Sequence, residues 1–150
     1  MMIPRKKQGS RLKTIMVILG AILVTAAIAS IPNWLQQGNI QGIGVEIYSD
    51  INQTQRLTNI DWGSIYPGGN KTVLAYIKNV NNTVAVLTLN TTDWQPITAQ
   101  EYVTLTWNYT DVPLELNAVA PTIFMLTTNQ NAGNLTTFTF NMIVTAQEQT

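Results

Sequence analysis

From residue 43 onward apolar and polar residues alternate with a period of two, and no segment holds a helical period. "IGVEIYS" sets Ile43, Val45 and Ile47 against Glu46 and Tyr48, and "TVLAYIKN" sets Val73, Ala75 and Ile77 against Thr72, Tyr76 and Lys78. "TVAVLTLN" follows with both faces fairly apolar, and "YVTLTWNYT" turns Val103, Leu105 and Trp107 away from Thr104, Thr106 and Asn108. "PTIFMLTTN" and "LTTFTFNMIVT" continue the pattern. Such alternation describes strands with one buried face. The runs are separated by "PGGN", "NVNN", "NTTDWQP" and "NQNAGN", clusters whose Gly and Asn tolerate positive φ. With a strand through Leu57–Trp62 and a weak one at Leu114–Leu116, these runs predict an all-β fold. The expected architecture is an immunoglobulin-like, two-sheet antiparallel β-sandwich of about 7–8 strands.

Ahead of the strands the chain has a different character. Ile15–Ile31 is a run of 17 residues without a charge, roughly 26 Å long as a helix. The hydrocarbon core of a bilayer is about 30 Å thick, so Thr14 and the Trp34–Leu35 pair complete a span. Arg5, Lys6, Lys7, Arg11 and Lys13 precede it with no acid, whereas three bases and eight acids follow it. A head of +5 and a body of −5 put the head in the cytoplasm and the body outside. The expected organisation is a basic head (1–13), a single-pass transmembrane signal-anchor helix (14–35), a polar stalk (36–42) and an extracellular β-sandwich (43–150). A cleaved signal peptide, with Ala27-Ile28-Ala29 as its small-x-small site, is the rival. Both place the sandwich outside the cytoplasm.

The chain has no cysteine and no histidine. That excludes disulfides, thiolate and imidazole metal sites, and His-based triads. A body of −5 without a basic patch argues against nucleic acid. "DINQTQRLTNID" (50–61) imitates a calcium loop through Asp50, Asn52, Thr54 and Asp61, but lacks its glycine, its closing glutamate and its flanking helices. Eight carboxylates could supply a hydrolase pair, with Asp93, Glu101 and Asp111 the ones to test, and none lies in a catalytic motif. The expectation is no enzyme, no cofactor and no metal.

In "TNIDWGSIYPGGNKTV" (58–73), Ile60 and Trp62 share the inward parity, Gly63 turns the chain, and Pro67-Gly68-Gly69 makes a tight turn. Lys71-Thr72 leads into a strand rather than a helix, so the glycines are not a phosphate loop. This corner, the "KNVNN" hairpin, the Trp-x-Pro of "DWQP" and the closing Phe-x-Phe of "FTF" resemble a pattern of small, uncharacterised archaeal surface proteins, over roughly residues 43–146. More loosely, the chain is similar to immunoglobulin-like modules of archaeal and bacterial surface proteins and glycosidases. The resemblance implies a membrane-anchored or secreted β-sandwich and no activity.

Six N-x-Ser/Thr sequons occur, at Asn52, Asn70, Asn81, Asn90, Asn108 and Asn134, most at strand ends and turns. They predict a glycoprotein in an archaeal host, with Asn52, Asn81 and Asn134 the best acceptors. Trp62 and Trp107 read as core residues, whereas Trp94 in "TTDWQP" reads as the one exposed platform for a ligand, with plugging an open end of the core as its alternative. The expected role is a structural, adhesive or accessory module of the cell surface, with the membrane and a cell-envelope protein or glycan as partners. The alternatives are a carbohydrate-binding module and a filament subunit whose "IQGIGVEIYS" adds to a neighbour's sheet edge. Oligomeric state stays open.

Overall fold

The structure is a computed structural model and describes residues 36–149. The basic head and the anchor expected over 1–35 lie outside the described residues. Eight strands make two four-stranded sheets: β1 (Gln36–Ile43), β2 (Val45–Tyr48), β3 (Asn59–Asp61), β4 (Asn70–Asn79), β5 (Ala85–Gln95), β6 (Val103–Trp107), β7 (Val119–Thr128) and β8 (Phe138–Glu148). One sheet has the order β3-β1-β8-β5 and the other β2-β4-β7-β6. Their inward faces share one core, so the domain is a β-sandwich as its alternation predicts.

Most inward side chains are those the alternation selects, but the strand expected through "IGVEIYS" is divided at Gly44 between two sheets, leaving Ile43 49% exposed and Tyr48, expected outward, only 8% exposed. Ile77 and Phe124 from one sheet, and Leu87, Phe140, Met142 and Val144 from the other, are at most 1% exposed. Ile60 and Trp62 point inward, both 3% exposed. The turn after them has the expected form: Gly69 N–H donates to the Tyr66 carbonyl (2.8 Å), and Gly68 takes φ +77° at the third turn position. Proline second and glycine third is the composition of a type II turn.

Two elements differ from expectation. Residues 36–42, read as a stalk, belong to strand β1, which is hydrogen-bonded to β3 on one side and β8 on the other. The strand also breaks the antiparallel rule, because it runs parallel to β8 over eight registered pairs, Gln36↔Phe138 to Ile43↔Thr145. Its inward residues are Gln36, Gly38 and Ile40. Gly38 is where the rings close in: a Cβ there would stand 3.2 Å from Trp62 Nε1 and 3.3 Å from Phe140 Cζ. After β1 the chain crosses to the other sheet through a single residue, Gly44, at φ +69°. The second difference is Leu114–Leu116, which contributes one isolated bridge, Ala85↔Leu114, rather than a strand.

Candidate functional site

Of the two readings the sequence leaves for Trp94, an exposed platform and a plug of the core, the structure shows the plug. Trp94 is 5% exposed and stacks on Phe140 with ring centroids 4.4 Å apart and planes 13° from parallel. Its indole N–H donates to Thr91 Oγ1 at 3.3 Å. The ring closes one part of the core and offers no face to a ligand. It turns inward because β5 continues past its expected end, with a register shift between Thr92 and Gln95 and Asp93 at φ +54°.

The carboxylates named from sequence are dispersed. Asp93 lies near the end of β5, where it accepts from Asn141 Nδ2 at 2.6 Å and Thr92 Oγ1 at 3.1 Å. Glu101 ends a short 3-10 turn, Ile97–Glu101, and Asp111 lies in the loop after β6. Asp50 is occupied by its own loop, accepting from the N–H groups of Thr54 (3.1 Å) and Gln55 (2.7 Å). Desolvation alone would raise its pKa, but the Gln55 and Thr54 donors outweigh it and hold the carboxyl below its ordinary value. Asp61 likewise accepts from Gly63 N–H at 2.9 Å. The "DINQTQRLTNID" segment is thus a carboxylate-capped turn and the start of a strand. Among the described residues no three His, Cys, Asp or Glu side chains cluster as metal ligands.

The sequons are spread over the domain. Asn52, Asn70 and Asn134 are exposed, in the loop after β2, at the start of β4 and in the 3-10 turn Ala132–Asn134. Asn90 and Asn108 are exposed too, with their Oδ1 atoms accepting from Thr91 N–H (2.9 Å) and Ile123 N–H (2.7 Å). Asn81 is half-buried, packs over Gly44 and donates its Nδ2 to the Ala146 carbonyl at 3.4 Å. That amide is the nitrogen a glycan would need, so Asn81 is a poorer acceptor than its turn position suggests.

A shallow, widely open cleft of about 560 Å³ lies between the edge strands β5 and β6. Leu89, Leu105, Trp107 and Tyr109 form its apolar wall over the buried Leu87, and Thr88, Thr106 and Asp111 add polar groups. Trp107 is held by Phe124 beneath it (centroids 6.0 Å apart) and by a tilted Tyr109 beside it (5.3 Å). Tyr109 Oη donates to the Val112 carbonyl and accepts from Leu87 N–H at 3.3 Å, tying the following loop to the β5 edge. Comparison with protein-family models, with curated proteins and with solved structures finds no match to this chain.

What the cleft can do therefore rests on its own chemistry. Apolar rings beside hydroxyls and one carboxylate suit a neutral, hydroxyl-rich ligand lying flat on the wall. Alternation assigns Trp107 to the core, and the ring does pack against it through Phe124; what alternation misses is that Trp107 also lines the cleft. The available signal was Tyr109, which repeats its parity two residues later, where the strand is already leaving the sheet.

Proposed function

We propose that this chain is a single-pass, membrane-anchored module of the cell surface with a structural or adhesive role, its sandwich outside the cytoplasm. The observation that carries this is continuity. The apolar run ends at Ile31, and by Gln36 the backbone is already hydrogen-bonded in an interior strand of its sheet. The residues expected as a stalk, 36–42, are part of that strand. The sandwich is assigned to the immunoglobulin-like class on its strand order. The β2-β4-β7-β6 sheet follows the order A-B-E-D of that class and β5-β8 its C–F pair. The place beside β8 that the last strand, G, takes in that class is filled by β1, running the opposite way.

Intact mass of the native protein extracted from its own membranes tests the anchor. Retention of the segment through Ile31 is expected, with added hexose mass counting the occupied sequons. A native pool that has wholly lost residues 1–29 would overturn anchoring. The cleft favours one second reading, a carbohydrate-binding module with Trp107 in the part that sequence gives to Trp94. Oligosaccharide titration followed by tryptophan fluorescence checks it: Trp107→Ala should abolish any saturable change, and a response that survives would remove the cleft from consideration.

A further inference from the structure

Among the described residues the β1–β8 ladder is the one parallel pairing; every other ladder between named strands is antiparallel. Two observations bear on how firmly it belongs to its own molecule. The first is its slight side-chain hold. Of its inward residues, Ile40 is the one large apolar group, and Gln36 Oε1 is buried without a hydrogen-bond partner among the described residues, beside a cavity of about 10 Å³. The attachment is chiefly backbone hydrogen bonding to β3 and β8, which an identical strand from another molecule reproduces.

The second is the connection to β2. It is one residue long, Gly44 at φ +69°, and Gly42 packs so closely on the Val45 carbonyl that a Cβ there has no room. Straightening this turn joins β1 and β2 into one extended segment, Gln36–Tyr48. Short hinges of this kind favour exchange of the element they carry.

We infer that β1 is an exchangeable strand: in a pair of copies, Gln36–Ile43 of each molecule lies between β3 and β8 of the other. The partner is a second copy because the slot is cut to this sequence. Gly38 sits where the Trp62 and Phe140 rings leave a side chain little room, and Asn39 lines up with the Asn59 and Asn141 amides. Contacts are the same within one molecule and between two, so the hinge and the local concentration set the balance. Exchange does not depend on membrane anchoring, since a secreted chain has the same slot and the same strand.

The test uses the full chain in mild detergent and exploits its lack of cysteine. Gln37→Cys and Thr139→Cys are made singly and together, at outward positions paired across β1 and β8. Dibromobimane, which becomes fluorescent on bridging two nearby thiols, is applied to the double variant and to a co-incubated mixture of the single variants. The expected result is a fluorescent dimer in the mixture whose digest joins residue 37 of one chain to residue 139 of the other. Adding Gly44→Ala should raise its yield several-fold, because a Cβ there would meet Asn81 Oδ1 at 2.5 Å and the positive φ is disfavoured. Bridging confined to single chains of the double variant, with no 37–139 bridge in the mixture in either hinge background, overturns the inference. Dimers joined solely 37–37 or 139–139 overturn it as well. Gln41→Cys with Ile143→Cys, paired in the same ladder, is read by the same criteria.

Discussion

Asn39 Nδ2 donates to Asn141 Oδ1 at 3.1 Å, joining β1 to β8 on the outer face of their sheet. The contact is the middle of a chain of side-chain hydrogen bonds that crosses all four strands. Asn59 Nδ2 donates to Asn39 Oδ1 at 3.2 Å, and Asn141 Nδ2 donates to Asp93 Oδ2 at 2.6 Å. Because Asn39 pairs in register with both Asn59 and Asn141, a slip of one residue would separate all three amides.

Asn141→Ala should therefore destabilise the domain by about 1 kcal/mol, near the net value of an exposed side-chain hydrogen bond or two. Urea unfolding measures it. A double-mutant cycle with Asn39→Ala should give a coupling different from zero, because the two residues share one bond.

Asn79→Ala should cost more, about 2–3 kcal/mol, since it orphans buried partners. Asn79 is fully buried, donates Nδ2 to the Thr83 and Leu114 carbonyls (2.9 Å each) and accepts from Asn81 N–H at 2.9 Å. Amide exchange should show the loss concentrated in the β4–β5 hairpin and the Leu114 segment.

Trp94→Ala should lower stability by about 3–5 kcal/mol, the usual effect of emptying a large aromatic site. It should leave glycan-dependent fluorescence of the remaining tryptophans unchanged. Loss of a glycan response with unchanged unfolding would return the platform role to Trp94.

The Asp50 loop should carry a pH signature. Its carboxyl is held below its ordinary 3.8, so it binds protons more readily in the unfolded chain. Its stabilising contribution is complete above that ordinary value and is lost as pH falls through the depressed folded one. Asp50→Asn should thus weaken protection of the Gln55 amide at neutral pH, and the gap from the parent should close in acid. A gap independent of pH would remove the carboxylate from the account.

The strands legible from sequence are those whose inward positions are large and apolar, as in Phe124-x-Leu126 of β7 and Phe138-x-Phe140-x-Met142 of β8. Strand β1 was hidden because its inward residues are glutamine, glycine and isoleucine, which give alternation almost no amplitude. Its burial is supplied from elsewhere, by the Trp62 and Phe140 rings that close over Gly38. The choice between platform and plug for Trp94 is left open by the pattern for a different reason: a register shift in β5 redirects the side chains beyond Thr92, and no periodicity survives such a shift. The β5–β6 cleft was invisible because it depends on which strands end at sheet edges, a property of strand order that local pattern does not carry.

The parallel pairing of β1 with β8 has a mechanical consequence. Gln36 opens the shared ladder and Glu148 ends β8 just beyond the ladder's other end at Thr145. A pull between them loads the rungs from Gln36↔Phe138 to Ile43↔Thr145 together, in shear, rather than peeling them one after another. Rupture under tension is governed by the unfolding rate, not by equilibrium stability. Drawing β1 out against the end of β8 would therefore require breaking those rungs together.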